Sequence, residues 1–117
     1  TRAPSKLDAA TQKIIEALIK SRAVSTAIDQ KGRTCLTIAS SSGHLETTKA
    51  ILKAKARVDQ REKSGATALF HAAQQGHAEV VKALLSVHAD ANAATYGGWT
   101  PLITATMKGH SRCVELL

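Results

Sequence analysis

Apolar residues recur along this chain in short stripes that have the spacing of amphipathic helices. The clearest stripe lies in residues 78–86 and consists of Val80, Val81, Leu84 and Leu85. An earlier stripe with the same spacing consists of Thr47, Thr48, Ile51 and Leu52. Residues one, four and five positions apart share one face of an α-helix. The pattern therefore predicts a helix over Ala78–Ser86, with one buried face, and an equivalent helix earlier in the chain.

These stripes belong to a repeat of 33 residues. The same step relates sets of glycines, threonines, leucines, alanines and glycine–histidine pairs, which are Gly32, Gly65 and Gly98; Thr34, Thr67 and Thr100; Leu36, Leu69 and Leu102; Ala39, Ala72 and Ala105; and Gly43-His44, Gly76-His77 and Gly109-His110. Agreement at so many positions indicates an internal repeat, and repeats of 20–50 residues are typical of solenoids and arrays.

Each unit is predicted to contain a turn, a short helix, a second turn and a second helix. In the last unit, Thr100 can cap a helix and Pro101 suits its first position. Gly109 suits a left-handed helix end about two turns later. A helix of about eight residues is too short to be stable alone in water. The first helix of each unit can therefore persist only by stacking on neighbouring units, as in a solenoid.

The repeated motif resembles an ankyrin repeat. Its clearest copy is Gly98-Trp99-Thr100-Pro101-Leu102, followed by Ala105, Gly109-His110, Val114 and Leu116-Leu117. The resemblance is strong over residues 29–117 and weak over about 10–28. It implies an all-α, ankyrin-like solenoid of stacked helix-turn-helix repeats with short β-turn fingers. On this basis, residues 1–117 form one domain, with a degenerate N-terminal repeat in 1–28, repeats in 29–61 and 62–94, and a truncated repeat in 95–117.

The units depart from the family motif in two ways. Cys35 and Ala68 replace the proline at the start of the first helix. Lys55 and His88 replace the glycine expected after the second helix. A side chain in a left-handed helix end costs about 1 kcal/mol. We therefore expect some backbone strain at both sites.

The two ends of the chain are less regular than its middle. Residues 7–23 hold a stripe in register with the second helices, which is Ile14, Ile15, Leu18 and Ile19. Two arrangements fit it: residues 5–21 form one longer helix, or a short helix pair survives. Leu116-Leu117 ends the sequence inside a second helix. We therefore expect the chain to be a fragment of a longer array, whose terminal repeat would carry a polar outer face.

Composition limits the class of protein. The 117 residues suit one domain, and 44% of them are hydrophobic while 21% are charged, as in globular chains. No apolar run approaches the roughly 18 residues of a membrane-spanning helix. Cys35 and Cys113 are interpreted as small, buried, reduced residues, which indicates an intracellular protein, cytoplasmic or nuclear. The net charge is +7, and the excess lies in residues 1–65, which contain 13 basic and 6 acidic residues.

No combination of residues predicts catalysis or metal binding. His44, His77 and His110 occupy equivalent positions in stacked units, about 8–10 Å apart, whereas zinc ligands must lie about 2 Å from one ion. We interpret these histidines as polar residues that bond at the turn between two helices. His71 and His88 lack a second ligand at usable spacing. In the segment Ser40-Ser41-Ser42-Gly43-His44, adjacency in sequence does not supply the geometry of a nucleophilic site, which needs a base within hydrogen-bond distance of the serine and a third group that orients the base. The sequence therefore predicts no enzyme, cofactor or metal.

The resemblance implies a protein-binding module, a scaffold or adaptor, whose partner lies on the concave face formed by the fingers and first helices. The matching residues are Gln30, Lys31, Arg33, Ser41 and Ser42; Lys63, Ser64, Ala66, Gln74 and Gln75; and Tyr96, Gly97, Trp99, Met107 and Lys108. The face is basic at one end and apolar at the other, which favours an acidic or phosphorylated segment with one apolar anchor.

Two other functions remain open. The basic N-terminal half could bind nucleic acid or an anionic lipid, although no aromatic stacking platform lies among its charges. The chain could also be a regulatory segment of an enzyme. Near the ends of second helices, Lys20, Arg22, Lys53 and Lys55 are explained by the helix dipole, which favours cations there.

Overall fold

The computed structural model describes residues 9–21 and 27–117, which form seven α-helices and no strand. The helices are α1 (Ala9–Ser21), α2 (Cys35–Ser42), α3 (Leu45–Lys53), α4 (Ala68–Gln75), α5 (Ala78–Ser86), α6 (Pro101–Lys108) and α7 (Ser111–Leu116). An inner layer is formed by α2, α4 and α6, with α4 packed between the other two. The helices α3, α5 and α7 form an outer layer. This arrangement confirms the predicted helical solenoid.

A repeated threonine begins each inner helix. The side-chain oxygens of Thr34, Thr67 and Thr100 each accept a hydrogen bond from the backbone N–H three residues later. Such caps satisfy one of the backbone donors that a helix start leaves unpaired. Pro101 adds a pre-set backbone angle at the first position of α6. The cap alone is sufficient in α2 and α4, where Cys35 and Ala68 replace the proline.

The glycine–histidine turns join successive units. Gly43 and Gly76 have positive φ angles of 73° and 77°. A Cβ atom on Gly43 would also lie 2.5 Å from the ring of His77 in the next unit. The Nε2 atom of His77 lies 3.0 Å from the carbonyl oxygen of Ser41, and His110 makes the same 3.0 Å bond to Gln74. Since a carbonyl can only accept, each imidazole donates, as the structural interpretation of these histidines predicts.

The core is built from small and branched residues in register. Ala39, Ala72 and Ala105 are fully buried between the two helices of their units. Leu36 and Leu69 are each 1% exposed, whereas Leu102, at the same position of the last unit, is 43% exposed. The difference arises because the following unit covers each of the first two leucines.

Helix α1 lies in the position of an outer helix. Its Ile15 is buried in the core, and Gln12 Oε1 accepts a hydrogen bond of 3.3 Å from Thr47 Oγ1 on α3. The helix is continuous through residues 10–11, which are in register with the Gly43-His44 turn. Lys20 in α1 and Lys53 in α3 lie in the last turns of their helices, as the dipole interpretation requires. Residues 5–8 and Arg22 lie outside the described residues.

The predicted left-handed conformation after the outer helices is confirmed, with φ of 68° at Lys55 and 65° at His88. We expect His88→Gly to stabilise the fold by about 0.5–1 kcal/mol, because glycine adopts this conformation without a Cβ clash. His88→Ala is the control, since it removes the imidazole but keeps the clash. Urea unfolding followed by circular dichroism measures both variants. Equal stability of the glycine and alanine variants would show that the strain is negligible.

Candidate functional site

Three fingers project side by side from the inner layer. In the first, Asp29 donates its N–H to the carbonyl of Arg33, and Gly32 donates to the carbonyl of Asp29, both at 3.0 Å. Equivalent bonds close the second and third fingers. Neighbouring fingers are joined by one backbone hydrogen bond each, from Lys63 to Lys31 and from Tyr96 to Ser64. The fingertips therefore form a continuous strip, as the sequence predicts.

The first finger is held by its own carboxylate. Asp29 Oδ1 accepts hydrogen bonds of 2.9 Å from the backbone N–H groups of Lys31 and Arg33. Arg33 Nε donates to Asp29 Oδ2 at 2.7 Å. The backbone bond from Arg33, assisted by its guanidinium, holds the pKa of Asp29 below its ordinary value. The carboxylate thus fixes the finger and positions the side chain of Arg33.

A groove of about 300 Å³ lies between α4 and α6, beside the third finger. It is lined by Phe70, Gln74, Trp99, Thr104, Met107 and Lys108. Trp99 is 44% exposed and Met107 is 69% exposed, whereas Phe70 is buried. We call the surface formed by Phe70, Trp99 and Met107 the apolar groove. It can take an apolar side chain, because aromatic and methionine side chains together form an accessible apolar surface.

A smaller pocket of about 120 Å³ occupies the equivalent place one repeat earlier, between α2 and α4. It is lined by Arg33, Thr37, Ile38, Ser41, Ser42 and His71. We call the surface formed by Arg33, Ser41, Ser42 and His71 the polar pocket. A guanidinium and two hydroxyls can bind an anionic group. The pocket thus presents a guanidinium and two hydroxyls beside Ile38, and the groove one repeat later presents a tryptophan and a methionine beside Gln74, Thr104 and Lys108.

His71 is held by the second finger. Its Nε2 lies 2.9 Å from Glu62 Oε1, which also accepts a hydrogen bond from Ser64 Oγ at 3.0 Å. The ring of His71 stands edge-on to Phe70, with the centroids 5.7 Å apart. Glu62 therefore positions the imidazole at the boundary between the polar pocket and Phe70.

Most of the predicted site residues are accessible. Those classed as exposed are Gln30, Lys31, Arg33, Lys63, Ser64, Gln75, Tyr96, Gly97, Trp99, Met107 and Lys108, and those half-buried are Ser41, Ser42 and Gln74. Ala66 is only 2% exposed, so its side chain cannot contribute to a binding surface. The prediction for Ala66 was wrong, because the closed base of the second finger covers its small side chain. Trp99, at the same position one repeat later, has a larger side chain that remains partly exposed.

Tyr96 has a role in joining the fingers. Its backbone N–H bonds Ser64, and its ring lies against Gly65, where an added Cβ would be 3.0 Å from the ring. The guanidinium carbon of Arg61 lies 5.8 Å from the centroid of the ring, on its face. A cation–π contact at this distance is favourable. Tyr96 thus combines packing against the second finger with an exposed outer surface.

Phe70 and His71 were not among the predicted site residues. They are in register with Thr37 and Ile38 of the unit before and with Ile103 and Thr104 of the unit after. The sequence signal that could have identified Phe70 and His71 as site residues is the change of residue type at these two repeated positions. A purely structural position tends to keep its residue type from one unit to the next.

The thiols have no place in this surface. Cys35 and Cys113 are buried thiols, as predicted. Burial raises the pKa of both thiols, since a thiolate is poorly solvated there. Both groups therefore remain protonated and inert at neutral pH.

Within the described parts of the chain, no helix is long and apolar enough to cross a membrane. The same residues contain no cluster of three or more groups that could hold a metal ion.

Comparison with known families agrees with the repeat geometry. A family model described as ankyrin repeats (3 copies) matches residues 54–117. A second model, which describes a single ankyrin repeat, matches residues 31–63. No curated protein matches the chain. The capped inner helices, glycine–histidine turns and joined fingers lie within the matched region. The chain therefore belongs to the ankyrin repeat family.

Proposed function

We propose that this chain is a non-catalytic scaffold or adaptor module that binds an extended acidic or phosphorylated segment of a partner protein along its concave face. Ankyrin repeats are in general protein–protein interaction modules, which supports this class of function. The observation that carries the proposal is the placement of the polar pocket and the apolar groove one repeat apart on the same face.

The spacing of the two sites favours an extended ligand. Successive helices of a solenoid lie about 8–10 Å apart. An extended chain advances about 3.3 Å per residue, so three residues span that distance. The ligand would therefore place an anionic side chain in the polar pocket and an apolar side chain, about three residues away, in the apolar groove.

The polar pocket supplies the anion-binding chemistry. The bond between Arg33 Nε and Asp29 leaves the two terminal guanidinium nitrogens to donate to a carboxylate or phosphate. Ser41 and Ser42 add hydroxyl donors at the pocket wall. Lys31 and Lys63 lie on the adjoining fingertips, where exposed cations accelerate the approach of an anionic partner.

The apolar groove supplies the anchor. Trp99 and Met107 are exposed and line the groove with the buried Phe70, so a bound side chain would remove the exposed parts of Trp99 and Met107 from water. Tryptophan is enriched among residues that dominate binding energies. The charged end would thus mainly set the rate of association, and the apolar end mainly the lifetime of the complex.

The same proposal includes a cytoplasmic or nuclear location. Cys35 and Cys113 are buried thiols, and buried thiols are common in the reducing interior of a cell.

Selection from a library of random peptides tests the proposed function. We expect peptides enriched on the immobilised chain to carry an acidic residue and an apolar residue about three positions apart. Their binding should be weakened by Trp99→Ala and by Arg33→Glu. Ile14→Ala, which removes an exposed apolar side chain from α1, is the control and should leave binding unchanged.

Two outcomes would contradict the proposal. Selected peptides could bind the Trp99→Ala variant as tightly as the parent chain. Alternatively, single-stranded DNA could bind more tightly than every selected peptide at physiological salt, which would favour the nucleic-acid alternative.

A further inference from the structure

A second groove lies in the outer layer, between α3 and α5. Its volume is about 460 Å³, larger than that of either concave site. Its floor is apolar and includes Leu45 and Leu52 from α3, Ala83 from α5, and Val87, which directly follows α5. We call the surface formed by these four residues and by the lysines at its edges, Lys49, Lys53 and Lys82, the outer groove. We propose that the outer groove binds an acidic amphipathic helix of a partner protein, independently of the concave face.

The floor has an accessible apolar surface that extends along α3 and meets the C-terminal end of α5. Leu45 and Leu52 are only partly buried, and Val87 is exposed. Ala83 and Ser86 present small side chains on α5, which leaves space between the two helices. Leu45 and Leu52 are seven residues apart, so the floor extends for about 10 Å, or two helical turns.

The edges of the groove are basic. Lys49 and Lys53 line it from α3, and Lys82 lines it from α5, against one carboxylate, that of Glu79. All four side chains are exposed. Among the described residues, none of these three lysines lies within salt-bridge distance of a carboxylate. The groove thus carries more positive than negative charge around an apolar floor, with three lysines against one glutamate, and this charge complements an acidic ligand.

The shape of the groove favours a helix over an extended segment. An extended chain lying along this floor would bury its backbone groups against Leu45, Leu52 and Val87, whose side chains offer no hydrogen-bond partners. A helix satisfies its own backbone and can lay one apolar stripe between α3 and α5. Apolar residues at i, i+4 and i+7 would match a floor two turns long.

Charge and shape also distinguish this partner from other occupants. A second copy of the chain would bring a net charge of +7 towards a basic surface. A planar bilayer would meet the lysines but would not enter a floor recessed between two helices. Nucleic acid would neutralise the lysines and leave the floor uncovered.

The probe is a fluorescein-labelled peptide of about 14 residues, or four helical turns. It is built from Glu, Ala and Leu, with leucines at i, i+4 and i+7. A peptide with Lys in place of every Glu is the control ligand. We expect the acidic peptide to bind the full chain in fluorescence anisotropy and the basic peptide not to bind. In ¹⁵N NMR, the amide shifts should be concentrated in α3 and α5.

A matched pair of double variants locates the site. Lys49→Glu with Lys82→Glu should weaken binding of the acidic peptide about tenfold or more. The control is Lys31→Glu with Lys63→Glu, which makes the same change of net charge on the fingers. This variant should weaken binding of the acidic peptide by less than about threefold. Circular dichroism melting confirms that both variants fold. If the groove variant does not fold, the NMR shifts of the parent chain decide the location.

The proposal would be overturned by any of three results. The acidic peptide could fail to bind at millimolar concentration. The amide shifts that it causes in the chain could lie on the fingers, or the two double variants could weaken its binding equally. Vesicles of phosphatidylserine and phosphatidylcholine test the lipid alternative. Tighter binding of vesicles than of peptide, lost in the groove variant, would make a membrane the occupant. Because the concave residues are unchanged in the groove variant, failure here leaves the proposed function intact.

Discussion

Replacing Leu69 by alanine is expected to destabilise the chain by about 2–5 kcal/mol, whereas the same change at Leu102 should cost about 1 kcal/mol or less. The two leucines hold the same position in successive units, but Leu69 is 1% exposed and Leu102 is 43% exposed. Truncation of Leu69 leaves a cavity between two stacked units, whereas truncation of Leu102 removes an already hydrated side chain. Urea unfolding of both variants measures the difference.

Equal losses at the two positions would contradict this account. They would mean that stability comes from contacts within each unit, rather than from stacking between units as expected for a solenoid. Leu36→Ala is a further check, because Leu36 is as buried as Leu69 and should show a comparable loss.

The second large effect is expected in binding. Trp99→Ala should weaken a peptide selected on the concave face by about thirtyfold, or 2 kcal/mol. The loss should appear as faster dissociation, with little change in salt dependence, because an apolar contact is lost. Surface plasmon resonance at several salt concentrations separates the two rates.

Charge reversal at the other end of the face should act differently. Lys31→Glu with Lys63→Glu should slow association and flatten its salt dependence, because exposed charges act mainly before contact. If the charge variants and Trp99→Ala change the same rate constant by the same factor, the division into a steering end and an anchoring end is wrong.

The backbone features were predicted from sequence because each depends on a few residue types at fixed spacing. Thr34, Thr67 and Thr100 cap helices through their own side chains, and the glycines that follow adopt conformations that other residues avoid. These constraints are local and recur every 33 residues. The positive φ at Lys55 and His88 could be predicted for the same reason, since the register placed them where glycine was expected.

The side-chain surface was harder to predict, because exposure depends on the neighbouring unit. Ala66 and Trp99 share a register position, but the small side chain is enclosed and the large one remains accessible. Phe70 lines the concave surface together with Trp99 of the next unit, and His71 is held there by Glu62 of its own unit. The outer groove likewise results from the packing of α3 against α5, and no motif marks it.

Trp99 is the one tryptophan of the chain, so its fluorescence reports directly on the apolar groove. The most direct test titrates a selected, dye-free peptide into the chain and follows the tryptophan emission, while calorimetry measures total binding. We expect the emission to shift to shorter wavelength with the same saturation curve as the heat, because the bound apolar side chain removes the indole from water. Saturable heat with unchanged emission would place the peptide elsewhere and contradict the concave-face account.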